Sequence, residues 1–432
     1  MFFFRIGFAV ASLLLCVSAS AQIADSTQAP INKLSLRDAI EATLARNPQL
    51  SSFTFRNEAI AGELQTAALK PARQISAELE NVGGSGELKG TQSAELTLAL
   101  SSVIELGDKR EARMGVVTER QRQLATEQEI VGLDLLTEVT RRFIDTAAAQ
   151  EQVKLQQSTL TLLNDSTQAI KRRVNIGNAP EAELARSQAS QVRTAVELRK
   201  AESNLQSAKI KLAAMWGDIE PKFSSVNADL MNPGQIYSLK ELLAGLEQNP
   251  DIQLFSSEAR LRDAELRLAL SKRKTDIEWS AGVRRLQATQ DSALMVGISV
   301  PLSSGNRAAG EIATARANQR LTENERDTAL LKLRAQLIGL HQEREAALFE
   351  VNSLRNEVIP QLRKAINVTR AAFDKGRYGY QELSSAQHEL LEAEAALIEA
   401  AANAHQLRAE IERLSGSATT SRLSSQIFEV KP

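Results

Sequence analysis

Residues 34–48 read LSLRDAIEATLARNP, and residues 237–250 read YSLKELLAGLEQNP. With one gap the two stretches align, and each ends at an Asn-Pro pair. Three further landmarks recur with a constant spacing of 199: Gly177 and Gly376, Leu184 and Leu383, Gly217 and Gly416. Because recurrence at a fixed spacing is the signature of an internal repeat, the sequence predicts two copies of one unit of about 200 residues.

Each copy opens with helices and then changes its hydrophobic period. A short amphipathic helix ends at the Asn-Pro pair, since proline disfavours α conformation at the preceding residue. We expect a second helix from about Gln49 to Leu69 and from about Asp251 to Lys274. The period then changes from 3.6 to 2, which predicts a β-hairpin in each copy.

Both hairpins have one apolar face and one small or polar face. In the second copy the apolar positions are Ile277, Trp279, Ala281 and Val283, then Leu294, Val296, Ile298 and Val300. In the first copy they are Ile75, Ala77 and Leu79, then Leu96, Leu98 and Leu100. A turn around Gln290-Asp291 and a Gly-rich turn at 83–86 separate the strands.

Long helical runs follow the hairpins. Residues 72–179 contain no proline, and a helix of about 65 residues would reach roughly 100 Å. Two heptad positions of the last helix are apolar: Leu383, Leu390, Leu397, Ala404 and Ile411, with Ala386, Ala393, Ala400, Leu407 and Leu414. Such seams predict a coiled coil, although an ordinary helical bundle explains them equally well.

The composition excludes several classes of protein. The chain has 52 Lys and Arg against 53 Asp and Glu, which argues against a nucleic-acid surface built on bulk basicity. One Cys and three His leave no disulfide framework or His/Cys metal cage. Phosphate-loop, nucleophile-elbow and H-E-x-x-H motifs are missing from the sequence. We therefore predict no enzyme, no catalytic residue, no metal site and no cofactor.

The N-terminus has the features of an export signal. Arg5 precedes the apolar run Ile6–Val17, and Ala19-Ser20-Ala21 forms a cleavage site. An N-terminal membrane anchor is the alternative, but about 12 apolar residues are too few to span a bilayer. Bulky Leu15 before Cys16 argues against a lipoprotein.

We predict four segments. They are a signal peptide (1–21), a first repeat (22–233), a second repeat (234–416) and a tail (417–432). In the first repeat the strands fall at about 74–103 and the helical hairpin at about 108–217. In the second repeat the strands fall at about 276–301 and the helical hairpin at about 306–416.

The strands indicate a membrane pore shared between chains. Four strands cannot close a barrel, because about eight is the smallest number that does. Left open, their edges would invite aggregation. Alternation of apolar and polar faces is the pattern of a lipid-embedded barrel wall. A small soluble sheet packed on helices remains the alternative.

Several of these stretches together resemble the TolC-type outer-membrane efflux proteins. The resemblance rests on LSLRDAIEATLARNP, the long repeat, the hairpin-to-helix junctions and residues 357–391, EVIPQLRKAINVTRAAFDKGRYGYQELSSAQHELL. Pro360 matches a family proline, and a proline there must kink or restart the helix. Residues 104–110, IELGDKR, resemble the junction of the cobalt–zinc–cadmium (CzcC-like) branch, with Asp108 where a second glycine is expected.

The resemblance implies a mainly α fold with a small β part, assembled as a homotrimer. Three chains would share a 12-stranded β-barrel in outer-membrane lipid. Their helices would form an α-barrel across the periplasm. The implied function is a passive exit duct for a resistance-nodulation-division pump of the inner membrane, joined through a periplasmic adaptor (membrane fusion) protein. Heavy-metal cations are the expected cargo.

The resemblance also implies where partners bind. The two turns at 173–184 and 372–383 would form the periplasmic tip that meets the adaptor, through Arg173, Gly177, Leu184, Gly376, Arg377, Tyr378 and Leu383. The simpler interpretation is that these are helix-turn residues on a solvated end.

Two strand residues could line the pore and tune its selectivity. They are Glu278 and Arg284, on the polar strand face. Equally, Arg284 could lie in an extracellular rim. His341, His388 and His405 are expected to be solvated or packed helix residues, and Trp216 a packing anchor.

Alternative functions remain open on the sequence. The same channel could serve drugs or type I protein secretion, and only residues 104–110 discriminate here. A soluble periplasmic coiled-coil scaffold is a further alternative, although an adaptor would not duplicate the whole unit.

Overall fold

The computed structural model describes residues 33–302 and 304–416, which are mainly helical with a small β part, as predicted. The helices are α1 Leu36–Arg46, α2 Pro48–Ala67, α3 Lys109–Asn175, α4 Glu181–Ala213, α5 Leu239–Gly245, α6 Pro250–Ser271, α7 Ser304–Ser353, α8 Ile359–Asp374 and α9 Tyr380–Ser415. The strands are β1 Lys33–Leu34, β2 Gln74–Glu80, β3 Glu95–Ile104, β4 Ser225–Val226, β5 Ile277–Leu286 and β6 Ser292–Ser299. The predicted signal peptide and tail lie outside the described residues.

The two halves of the chain have the same order of elements. Two short helices, a β-hairpin and a long helical hairpin run from α1 to α4 and again from α5 to α9. The predicted hairpin strands are therefore confirmed, as are the helices that follow each Asn-Pro pair. Helix α3 has 67 residues, so at 1.5 Å per residue it is roughly 100 Å long.

Helix α3 forms the spine of the molecule. It packs against α2 and α6 on the side of the sheet, and against α4 and α9 further along. The largest apolar cluster lies midway, where buried Val139 and Phe143 of α3 meet Leu212, Ala401 and Ile40. Trp216 packs against this cluster with its ring centroid 6.4 Å from that of Phe223.

Most of the predicted coiled-coil seam of α9 is buried, whereas Ala386, Leu390 and Leu397 are half-buried. Leu383, Ala404 and Ile411 lie at one heptad position, and Ala400 and Leu407 lie at the other, all with little exposed surface. Alanines at these positions permit close approach of α9 to its neighbours α3, α7 and α8.

The Asn-Pro landmarks join distant parts of each copy. Asn47 and Asn249 are extended and cap the helix that starts at the following proline, through bonds from Gln49 N and Asp251 N. The same side chains donate from Nδ2 to Met215 O at 2.8 Å and to Leu414 O at 2.6 Å. Each asparagine thus ties the start of its copy to the end of the same copy's return helix.

The second copy differs from the first by an interrupted helix. A π-helical turn at Leu354–Val358 separates α7 from α8, and Pro360 lies in the first turn of α8. Arg355 within the π turn donates to Met231 O at 2.8 Å. The predicted restart at Pro360 is confirmed, since proline cannot donate the hydrogen bond that a continuous α-helix needs.

Candidate functional site

One sheet joins the two copies in the order β2-β3-β5-β6, with every neighbouring pair antiparallel. The register sets Leu98 opposite both Ala77 and Val283, and Ala281 opposite Val296. Paired residues share a face, so the register sorts all four strands into one apolar and one polar face.

The apolar face is open to solvent in the single chain. Ile75, Leu294 and Val296 keep 84%, 86% and 82% of their surface exposed, and Leu98 and Ile298 are also exposed. Such a contiguous apolar surface marks a membrane or protein contact. The described helices of the same chain therefore do not cover this face, unlike the sheet packed on helices that the sequence alone allowed.

Arg284 binds three side chains of the polar face near the loop end of the sheet. Its Nε donates to Thr97 Oγ1 at 3.0 Å and its Nη1 donates to Glu95 Oε2 at 3.1 Å. Its Nη2 lies 3.3 Å from Glu80 Oε2. Because Glu80 and Glu95 are directly opposite each other, the guanidinium relieves repulsion between like charges.

Glu278 lies on the same polar face at the helical end, where it is exposed and opposite Ser299. Sequence reasoning missed Glu78, Glu80 and Glu95 on this face. The signal was present, because Glu78 and Glu80 alternate with Ala77 and Leu79 at the period of a strand.

The junction between β3 and α3 is held by ion pairs. Asp276 Oδ1 accepts from Leu106 N at 3.1 Å and from Lys109 Nζ at 2.6 Å, and Arg113 pairs with Glu105. Asp108 has φ 55° in the left-handed region, which explains why glycine suits this position. Aspartate is among the residues that tolerate this conformation.

At the far end of the helices the two predicted turns lie together. In the first, Gly177 N donates to Val174 O and Asn178 N donates to Arg173 O. In the second, Gly376 N donates to Phe373 O and Arg377 N donates to Ala372 O, which repeats the pattern. Both are Schellman caps with a left-handed glycine, φ 77° and 71°.

A small core and one arginine connect the turns. Ile170, Phe373, Tyr380 and Leu383 are buried together, with Leu184 packed against them. Arg173 Nη1 donates to Phe373 O at 3.1 Å, and its guanidinium carbon lies 4.4 Å from the Phe373 ring centroid.

The two turns also present an exposed surface. Leu184 and Leu383 pack inside the end of the molecule, whereas Ile176, Arg377 and Tyr378 face outward. Ile176 is 70% exposed and Tyr378 is 46% exposed. The end of the molecule therefore combines a packed interior with an apolar and basic outer surface.

The three histidines lie apart on α7 and α9. His341 Nε2 is 3.1 Å from Tyr237 O, His405 Nε2 is 3.1 Å from Leu230 O, and exposed His388 lies beside Glu392. In the parts of the chain that the structure describes, no group of three or more His, Cys, Asp or Glu side chains could hold a metal ion. None of the described helices has a stretch long and apolar enough to cross a bilayer.

The chain thus combines paired helical hairpins with an antiparallel sheet that has an exposed apolar face. Residues 39–218 match the family described as outer membrane efflux protein. The chain is similar to the cobalt-zinc-cadmium resistance protein CzcC of Cupriavidus metallidurans, at 24% identity over 89% of this chain and 90% of that protein.

Two solved structures have the same fold. CusC has a TM-score of 0.73 at 15% identity, covering 90% of this chain and 94% of its own. The CmeC outer membrane channel of Campylobacter jejuni has a TM-score of 0.71 at 14% identity, covering 91% and 89%. With the family match over residues 39–218, these likenesses confirm the resemblance of the chain to the TolC-type outer-membrane efflux proteins.

Proposed function

We propose that this chain forms the passive outer-membrane exit duct of a tripartite resistance-nodulation-division efflux system that exports heavy-metal cations. One observation carries the proposal: a sheet with an exposed apolar face continues directly into helices roughly 100 Å long. The sheet suits lipid, and the helices are long enough to extend far from it.

Three chains close the barrel. Strands β2 and β6 are the two edges of the sheet, and an open edge with an apolar face is unstable in water or lipid. If β6 of one chain pairs with β2 of the next, three chains make a closed barrel of 12 strands, an even number.

The helical layer supports the same assembly. Helix α4 lies at one edge, where Val192 and Val196 are 64% and 59% exposed. Helices α7 and α8 lie at the other, where Phe349 and Val368 are 74% and 62% exposed. Contact between unlike edges is head-to-tail and closes into a ring.

The two predicted repeats, 22–233 and 234–416, each give this ring one β-hairpin and one helical hairpin. We place the sheet in the outer membrane and the helices in the periplasm. The pump would supply the driving force, and the duct itself would perform no chemistry.

The turns around Gly177 and Gly376 form the periplasmic tip in this arrangement. We propose that exposed Ile176, Arg377 and Tyr378 contact the adaptor, through which the duct reaches the inner-membrane pump. Leu184, Leu383 and Arg173 would shape the tip from inside, since they pack within or between the turns.

The cargo is proposed from the likeness to CzcC, whose name assigns it to cobalt, zinc and cadmium resistance. A duct needs no tight metal site, because tight binding would slow exit.

Growth and metal accumulation in a deletion strain test the proposal. We expect hypersensitivity to zinc, cobalt or cadmium, restored by the intact gene, with unchanged sensitivity to a dye and two antibiotics. Dye or antibiotic sensitivity without metal sensitivity would contradict the heavy-metal cargo and leave a drug duct. A protein that fractionates away from the outer membrane would contradict the duct itself.

A further inference from the structure

The polar face of the sheet is strongly acidic. The register places four carboxylates on it, Glu78, Glu80, Glu95 and Glu278, against one guanidinium, Arg284. The face therefore carries a net charge of three negative units per chain. The apolar face of the same strands, all of whose residues are described, has Arg285 at its loop end and no carboxylate.

Arg284 neutralises only part of this charge. It is engaged by Glu80 and Glu95, and its side chain is 30% exposed. Glu78 and Glu278 are exposed and make no ion pair within the described residues. These two side chains are therefore open to solvent on the polar face.

The two free carboxylates lie at different levels of the sheet. Glu78 is opposite Thr97 and therefore level with Arg284, whereas Glu278 is six positions away along β5. At 3.3 Å per residue the levels are roughly 20 Å apart. The polar-face positions between them are small or uncharged: Gln74, Ser76, Ala99, Ser101, Ser280, Gly282, Met295 and Gly297.

We propose that Glu78 and Glu278 make the shared barrel selective for cations. The inference rests on the proposed function, because the polar face lines a lumen only when several chains close the barrel. The Glu278 level then becomes a ring of carboxylates, and the other level gains the carboxylates of Glu78 beside Arg284, whose charge Glu80 and Glu95 already engage. Rings of carboxylates favour cations over anions in channels. One carboxylate per chain and level attracts a cation without forming a coordination cage, so transit stays fast.

The test is the reversal potential of the purified protein in planar lipid bilayers under a KCl gradient. We expect the wild type to prefer K⁺ over Cl⁻, and the double variant Glu78→Gln/Glu278→Gln to lose roughly half or more of that preference. Among residues 33–302 and 304–416 neither side chain has an ion pair to lose, so the variant should fold and conduct. Glu241→Gln, an exposed glutamate of α5, is the matched control and should behave as wild type.

Salt provides a second readout. Selectivity that comes from fixed surface charge should be larger in about 0.1 M KCl than in about 1 M KCl, because the Debye length falls from roughly 10 Å to roughly 3 Å between them. A conducting wild-type channel without cation preference, or a double variant that keeps it, would overturn the inference and leave the duct intact. The absence of any conductance would overturn the duct, and the inference with it.

Discussion

Asn249 donates two hydrogen bonds from one amide group and accepts a third. Its Nδ2 reaches Leu414 O at 2.6 Å and Arg413 O at 3.2 Å, and its Oδ1 accepts from Asp251 N at 2.7 Å. The side chain is fully buried, so water cannot replace a lost bond. This residue explains physically why an Asn-Pro pair marks the start of each copy.

Replacing this asparagine should be costly. We expect Asn249→Ala to lower the free energy of unfolding by about 2–3 kcal/mol. The substitution removes a helix cap and leaves two carbonyl oxygens without their hydrogen-bond donor. Thermal unfolding followed by circular dichroism measures the change. Asn204→Ala, an exposed position on α4, should have no measurable effect. Equal effects of the two substitutions would contradict the role given to Asn249.

His405 should make stability depend on pH. Burial, aided by the charges of Arg408 and Arg344, lowers the pKa of its ring. The unfolded chain therefore takes up a proton first, and stability is complete above the ordinary histidine pKa of about 6.5. It is lost as pH falls from there through the folded pKa.

We expect His405→Gln, whose amide can still donate to Leu230 O, to flatten the fall in melting temperature below about pH 6.5. The exposed His388→Gln is the control and should leave the profile unchanged. An unchanged profile in His405→Gln would show that other groups cause the pH dependence.

Gly177 and Gly376 supply the left-handed backbone conformation that ends the helix before each turn. Both have a left-handed φ in equivalent caps, and a Cβ at either position would have open space or only a distant contact. The need for glycine is therefore conformational rather than steric.

Gly177→Ala and Gly376→Ala should each destabilise by about 1 kcal/mol, because a Cβ disfavours the left-handed region. Gly115→Ala, in the second turn of α3, should be neutral or stabilising by up to about 1 kcal/mol, since alanine is the better helix former. Chemical denaturation of the three variants measures these differences. Destabilisation by all three alike would argue against the conformational explanation.

The elements were largely predictable from the sequence, because hydrophobic period separates strands from helices and the repeat supplies each pattern twice. The partners of individual side chains could not be predicted from the sequence. Arg284 meets Glu95 across 189 residues of chain, and only the register between β3 and β5 brings them together. Pro360 located the helix interruption but gave no sign that a π turn would precede it.

The assembly depends on surfaces that a single chain leaves exposed. Phe349 is 74% exposed on α7, so its removal should cost a folded monomer little. In the proposed ring it would pack against the neighbouring chain, where aromatic side chains contribute most to an interface.

We therefore expect Phe349→Ala to shift the detergent-solubilised protein from trimer towards monomer without changing its helix content. Native mass spectrometry measures the shift. Glu350→Ala, also exposed and next in sequence, should remain trimeric. A Phe349→Ala protein as trimeric as wild type would place the interface elsewhere.

The most direct test of the shared barrel is a disulfide between the two sheet edges. Within one chain β2 and β6 are separated by β3 and β5, so their Cα atoms are roughly 14 Å apart, beyond the reach of a disulfide. The sequence has a single cysteine, Cys16, in the predicted signal peptide. Paired cysteines at Ile75 or Ala77 of β2 and Val296 or Ile298 of β6 can therefore be oxidised without background. If β6 of one chain pairs with β2 of the next, at least one pair will yield covalent dimers and trimers on a denaturing gel. Monomers alone from every pair would contradict the account.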